Sequence, residues 1–400
     1  LTAEAYMQSM WDEQRGIKVH SGILDISAAF YQGEKLKRTN VWMQAPPEWY
    51  PFLLRDGYLK ALPKYGEKVY LHLEKDAPGT GTGPRSFHLN LDAWIQDFNK
   101  TRKDGTMLTC SKTMKPALYR MEERTSKGEF IRTVGTLATH VDDIRFRSVY
   151  RNYINEVVEH LKLKFIVGQL NVSDDQGVLV APYLGFMMET DKDGVRLHQH
   201  EYIEHVLKPI ELPPKARKID QRPVDATLQA AYGTGNGRLQ WVVNSRPEIG
   251  YPASRCASKA REPNMADCFY LNEAINYVRR TKKLKRFLPT LKHSELMNIA
   301  YADASLGNLE RSRTQGGRIV GLEDGKRAAG IVCRSGALKR VTNSSFDGET
   351  ISAVDCASDA FGVSLLLEDL ENGPRSTLIE DVLRRTLQTG VTKPSTAKFP

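Results

Sequence analysis

Apolar positions along the chain switch between short β-prone runs and stretches with helical spacing. Ala3 to Gln14 have the pattern of a short amphipathic helix, leading to a strand region from Ile17 to Phe30. Val134, Leu137 and Ala138 form a β-prone run that reaches His140-Val141. Asp142-Asp143 follow, and a second run, Ile144 to Phe146, begins at once. Two such runs around a tight acidic junction predict a hairpin whose turn presents two carboxylates. Tyr150, Ile154, Val157, Val158 and Leu161 recur at helical spacing and predict a helix packed on the sheet. Pro209 to Lys218 are Pro-rich and basic, exclude a regular helix and mark a boundary. A helix over Asn272 to Lys285 ends in a basic run, where cations offset the helix dipole and also suit phosphate contact. Ile299 to Ser305, Arg318 to Leu322 and Ala329 to Cys333 are strand-like. Ser344 or Ser345 ahead of Asp347 has the form of an N-cap opening a last helix.

Composition narrows the classes. Four hundred residues at 40% hydrophobic content can build two or three domains with cores. The balance of 57 Lys and Arg against 48 Asp and Glu leaves +9 and a pI near 9.1. That suits a polyanion-binding surface and equally a merely soluble basic protein. The five cysteines (Cys110, Cys256, Cys268, Cys333, Cys356) are scattered, odd in number and without C-x-x-C spacing. This argues against a disulfide framework or a zinc site and for a reducing, intracellular compartment. No charged-then-apolar leader opens the chain, and no apolar run reaches the roughly 18 residues of a membrane span, so no membrane partner is expected. A chain that starts at Leu1 and stops at Pro400 reads as a fragment of something longer.

The chemistry concentrates in two stretches. Leu24-Asp25-Ile26 is a short apolar strand with one acid, and Phe30 follows five residues later. A strand ending in Asp25 and a hairpin tipped with Asp142-Asp143 can place three carboxylates around one metal pair. Hard divalent cations take such oxygens, and two of them serve in-line nucleotidyl transfer. An Asp-Asp pair is also common in solvated turns, where Asp bonds its own backbone. His198, His200 and His205 lie close in sequence, with no acid or cysteine at ligand spacing, and no metal site is expected of them.

These stretches stand as DISAAFYQG and HVDDI, and with them the chain resembles the reverse transcriptase of copia-type LTR retrotransposons. That family has a D-x-x-x-A-F-x-x-G pattern and, later, a Y/H-V-D-D-I hairpin. Val41 to Glu48 resemble its V-Y-M-x-Q-P-x-G-F segment. Lys75 to Phe87 lie where it has K-A-L-Y-G-L-K-Q-A-P-R-x-W, with Gly79, Pro84 and Arg85 in place. Backbone N–H groups freed by glycine, plus Arg85, could approach triphosphate oxygens. Pro78 replaces an aromatic there, Thr82 replaces a glutamine expected to contact the nucleotide, and Lys115 to Tyr119 match D-P-x-L-F without its acid. Tyr183 to Phe186 and Val195 to Ile203 resemble the palm-to-thumb hairpin, and Arg238 to Ile249 a later G-x-L-x-W/Y-L-x-x-x-R-P-D-I segment. Tyr301 to Ser305 resemble Y-S-D-A-D-W of the family's ribonuclease H, with Asp303 on its first aspartate. Ser344 to Ala353 resemble S-S-T-E-A-E-Y-x-A, with Glu349 on its catalytic glutamate. A third acid, in a T-D-S/N strand, has no match; Asp369 and Asp381 lie in helix-like, charged surroundings.

The resemblance implies an α/β (α+β) chain. A reverse transcriptase palm region would span 1–207 with its fingers largely missing, and a linker and helical thumb/connection 208–292. A truncated ribonuclease H-like α/β domain would follow over 293–400. It implies an RNA-directed DNA polymerase region of a retrotransposon polyprotein, transferring nucleotides onto a primer 3′-hydroxyl, with a partial ribonuclease H. Asp25, Asp142 and Asp143, and separately Asp303 and Glu349, would be catalytic and hold Mg²⁺, two ions per active site. Phe30, Gly79 and Arg85 would contact nucleotide, Phe30 as a plate under the sugar that excludes a 2′-hydroxyl. Implied partners are an RNA template, a DNA primer, RNA–DNA hybrid and dNTPs, in a cytoplasmic retroelement particle or the nucleus. The alternative is a catalytically inactive, decayed retroelement fragment that only binds nucleic acid.

Overall fold

The period-two alternation of the first half builds a six-stranded antiparallel sheet, and the rest of the chain packs around it. In the computed structural model the described residues are 1–373, leaving out 34, 37, 39, 78, 79, 103, 104, 112, 115, 116, 310 and 311. Helix α1 (Thr2–Ser9) precedes β1 (His20–Ile26). A short ribbon follows, β2 (Trp42–Gln44) and β3 (Tyr70–His72), with α2 (Tyr50–Arg55) between its strands. After it come α3 (Gly83–Thr101), β4 (Thr106–Cys110), β5 (Leu118–Arg124), β6 (Phe130–His140), β7 (Asp143–Ser148), α4 (Arg151–Lys162) and β8 (Val167–Val172). Spatial order in the main sheet is β4-β5-β6-β7-β1-β8. The hairpin expected around Asp142 is therefore β6–β7, and β1, distant in sequence, lies beside it.

The sheet's two faces differ in chemistry. On β7, Ile144 and Phe146 point into an apolar core shared with Leu24, Met121 and Leu137. Helices α3 and α4 close that face with Phe87, Leu91, Trp94, Ile95 and Phe98, and with Tyr153, Ile154, Val157, Val158 and Leu161. Each large side chain so buried stabilises the fold by roughly 1.5–3 kcal/mol. The intervening residues, Arg145 and Arg147, point the other way and are also buried. Their cover is α1, whose Glu4 accepts from Arg145 Nε and Arg147 Nη1, each at 3.0 Å. The expected helix over Ala3 to Gln14 thus exists but stops at Ser9, where the chain turns into the loop before β1.

Beyond the sheet, β9 (Leu179–Tyr183), β10 (Phe186–Asp191) and β11 (Gly194–His198) form a second antiparallel sheet. Helices α5 (His200–His205), α6 (Ala226–Val242), α7 (Gly250–Lys259) and α8 (Met265–Arg280) come next, and β12 (Arg286–Pro289) returns to pair with β11. The helices share a core of Ile203, Tyr232, Leu239, Cys256, Leu271 and Ile275. Among 209–218 there is no helix, as the prolines require. Helix α8 begins seven residues earlier than expected because Asn264 and Asp267 form a reciprocal capping box. The last part is β13 (Met297–Ser305), β14 (Gln315–Glu323) and β15 (Ala328–Ala337), an antiparallel three-stranded sheet, with α9 (Ser345–Asn372) lying on it. Ser344 caps α9 by accepting from the Asp347 N–H. The architecture as a whole is mixed α/β.

Helix α9 is long and apolar enough, by length and composition alone, to cross a membrane. In the fold, its Ala360, Val363, Leu366, Leu367 and Leu370 join α1 and residues of both smaller sheets in one core. Its last turn also reaches the main sheet. The carboxylate and carbonyl of Asp369 accept from the fully buried Arg120, Ser111 Oγ donates to the same carboxylate, and Thr133 Oγ1 donates to the Leu370 carbonyl. Asp369 is thus a structural acid; Asp381 lies outside the described residues.

Breaking this contact leaves a guanidinium buried with one partner fewer. Asp369→Ala should cost about 3–5 kcal/mol of unfolding free energy. Glu349→Gln, on the exposed face of the same helix, should stay within about 0.5 kcal/mol. Urea unfolding followed by circular dichroism separates the two.

Candidate functional site

Asp25 stands opposite Asp143 in the β1–β7 register, and His140 of β6 pairs with Asp143 from the other side. Val141 and Asp142 are the two-residue turn between β6 and β7. Val141 has φ +56°, a conformation that suits the twist of tight hairpins but strains a β-branched side chain. The strain persists because neighbours hold it: the Ile26 N–H donates to the Asp142 carbonyl at 2.8 Å. Just past Asp25, Ala28 is left-handed too, at φ +51°, and starts the 3-10 turn Ala29–Gln32. Two strained residues therefore flank the three acids.

Asp25 and Asp142 are exposed and Asp143 is half-buried. Burial, and then the charge of Asp142, pushes the Asp25 carboxyl above the usual carboxylate range. Asp143 is likewise pushed up by burial, then by Asp142 and Asp25, with His140 acting against them. The acids thus repel one another across a distance short enough to matter. Gly168 of β8 makes room for one of them, since a Cβ there would lie 3.0 Å from Asp25 Oδ2. Among the described residues no three His, Cys, Asp or Glu side chains stand close enough to enclose a metal ion. The three aspartates repel one another and are oxygen donors of the kind Mg²⁺ takes, but as placed they do not enclose an ion.

Phe30 sits in the 3-10 turn, half-buried, where a continuing strand was expected; Ala28 ends the extended backbone. Its ring lies against the start of α3, so that a Cβ on Gly83 would be 3.0 Å from it. Gln32 ties this turn down: its side chain donates to the Ile166 carbonyl at 2.9 Å and accepts from the Ile166 N–H at 2.6 Å. Arg85 is exposed in the first turn of α3. Gly79, like Pro78, lies outside the described residues. Thr82 Oγ1 donates at 2.6 Å, and Thr80 Oγ1 at 2.9 Å, to the buried Asp76. The start of α3 therefore already faces a carboxylate.

Asp303 on β13 and Glu349 on α9 are both exposed. Their neighbours touch: Ser352 Oγ donates to the Asp303 carbonyl at 2.9 Å, and Gly348 packs over Ala304. Two further acids of α9 are occupied by arginine, Asp359 at 2.6 Å and Asp355 at 3.5 Å from Arg318. The histidines behave as structural groups. His198 Nε2 lies 3.1 Å from Glu189, which the β10–β11 pairing supplies, and its ring stacks on His200 with centroids 3.6 Å apart. Lys285 shares the same carboxylate. Gln32, Gly168 and Asp76 escape a reading of the sequence, because their roles depend on which distant segment they meet.

The raised carboxyl values carry a sign. The folded chain binds more protons here than the unfolded one, so stability falls as pH rises from the ordinary carboxylate range through the raised values. Asp142→Asn should remove part of that penalty and raise stability at pH 7, by less than about 1 kcal/mol given solvent screening. Millimolar Mg²⁺ should raise the melting temperature of the wild-type chain and leave the variant nearly unmoved; melting curves at pH 4 and pH 7, with and without Mg²⁺, check both.

No family model matches the chain. An uncharacterized mitochondrial protein of Arabidopsis thaliana is 24% identical to it over 186 residues, covering 44% of this chain and 74% of that protein. A likeness this distant supports a retroelement-related protein at most.

Proposed function

We propose that this chain is the RNA-directed DNA polymerase region of a retroelement, joining deoxynucleotides to a primer 3′-hydroxyl at Asp25, Asp142 and Asp143. The observation that carries the reading is the cross-strand register of Asp25 with Asp143, beside a strained turn that presents Asp142. Segments far apart in sequence bring three acids together, at a cost in charge repulsion that folding alone does not call for. The three aspartates would hold Mg²⁺, which supplies charge stabilisation for the attacking hydroxyl and the leaving pyrophosphate. His140 pairs with Asp143 in register, and Val141 forms the turn with Asp142. Phe30, held by Gln32 and Gly83, offers a flat ring on the path a nucleotide sugar would take. Asp303 and Glu349 would supply part of a ribonuclease H carboxylate set.

A second reading, a relic that binds nucleic acid without catalysis, is favoured by Thr82. Its hydroxyl is committed to Asp76, where the resembled family has a glutamine facing the nucleotide. The arginine-bound Asp355 and Asp359 favour it as well.

Primer extension distinguishes them. With a poly(rA) template, an oligo(dT) primer, dTTP and Mg²⁺, the wild-type chain should extend the primer. Asp142→Asn should lose about a thousandfold in rate while still binding primer–template. Retained binding with no extension by the wild-type chain supports the relic.

A further inference from the structure

The described residues of 35–75 leave the body of the molecule and rejoin it at one neck. Lys35 and Lys75 form an antiparallel bridge there, and the Leu36 N–H donates to the Glu74 carbonyl at 2.9 Å. Among the described residues of this arm only Ala45 is buried. An arm with so little core would be expected to carry polar residues. Instead its β2–β3 ribbon shows rings to solvent. Trp42 pairs with His72 and Gln44 with Tyr70, so these four side chains share one face. Trp42 is 59% and Tyr70 53% exposed, and the Trp42 and His72 ring centroids lie 5.0 Å apart. The ribbon's other face, Met43 and Leu71, is the half-buried one.

Charge says what such a face would meet. Residues 35–75 contain eight Lys and Arg (35, 37, 38, 55, 60, 64, 68, 75) and four acids (48, 56, 67, 74), a net +4 of the chain's +9. Lys35 and Arg55 pair with Glu74 and Asp56. The Lys64 backbone N–H donates to the Glu67 carboxylate at 2.8 Å, but among the described residues the ammonium groups of Lys60, Lys64 and Lys68 have no carboxylate partner. Lys68 lies two residues before Tyr70, and between them the Val69 carbonyl accepts from the Ala45 N–H, so strand alternation carried one step further would put Lys68 on the ring-bearing side. A second copy of this chain would bring another positive arm and be repelled. A single nucleic-acid strand complements both features, since its phosphates take the free lysines and its bases stack on flat rings whatever their sequence. Trp42 and Tyr70 lie two register positions apart, roughly 7 Å, close to the step of an extended strand.

We infer that the β2–β3 ribbon, through Trp42, His72 and Tyr70 with Lys64 and Lys68, is a docking platform for single-stranded nucleic acid. It deepens the nucleic-acid reading above by giving it a surface apart from the aspartates. The platform acts without metal and without sequence preference, and its binding is salt-dependent.

The test is anisotropy of fluorescein-labelled oligo(dT) and oligo(rU) twenty-mers titrated with the full chain in EDTA, so that polymerase chemistry plays no part. W42A/Y70A, which removes two stacking rings, should weaken both oligomers by about thirtyfold or more. K64A/K68A should reduce the slope of log K against log salt by about 1.4. All substituted arm residues are exposed, and unchanged melting temperatures verify the fold. Equal binding by W42A/Y70A and wild type, or no binding by the wild-type chain, overturns the platform. Primer extension, measured separately, decides the polymerase reading in either case.

Discussion

Buried guanidinium groups hold this fold together. Arg120, Arg145 and Arg147 project from the face of the main sheet opposite its apolar core, and none is exposed to any useful extent. A charge in that position is tolerated only when paired; Arg120 takes Glu122 from its own strand, and the remaining pairings bring in a helix. Glu4 of α1 serves Arg145 and Arg147, and Asp369 of α9 serves Arg120. Burial alone would raise the Glu4 carboxyl, but the two arginines outweigh it and hold it near 2. The arrangement is not perfectly satisfied: Arg120 Nη2, Arg145 Nη1 and Arg147 Nε have no hydrogen-bond partner. Such atoms carry a desolvation cost, so the layer specifies where α1 and α9 dock more than it adds to stability.

That docking joins the sheets. One core combines α1, residues of the second sheet, the β13–β14–β15 sheet and α9. The β1 and β6–β7 strands that present Asp25, Asp142 and Asp143 are thus clamped on both faces, by α3 and α4 on one and by α1 and α9 on the other. A rigid support is what strained turns at Val141 and Ala28 require, since neither conformation would persist in a loose loop. Mutual repulsion among the acids is sustained by the same rigidity.

The arm over 35–75 obeys the opposite logic. It has almost no core, hangs from one neck beside the turn that carries Phe30, and turns the rings of Trp42 and Tyr70 and the ammonium groups of Lys60, Lys64 and Lys68 to solvent. The molecule therefore divides its surface between a stiff, negatively charged tip and a projecting, positively charged ribbon.

Local patterns determined much of this. The acidic junction between two β-prone runs specified the β6–β7 hairpin, because period-two alternation and turn chemistry act over a few residues. Helical spacing specified α4, and a serine three residues ahead of an acid specified the start of α9. The order of short motifs was enough to single out Asp25 as a partner of Asp142-Asp143, but only the β1–β7 pairing put them in register. Tertiary structure alone decided the fate of the arginines. In Ile144-Arg145-Phe146-Arg147 the alternation has the form of a strand with one solvated face, and nothing local says that helix α1 will cover it. It decided as well that Asp369 is a structural ion-pair partner, that Thr82 turns to Asp76, and that Phe30 leaves the strand for a tight turn. In each case the cause is a long-range contact, and the free energy of such a contact depends on burial, which spacing along a sequence does not encode.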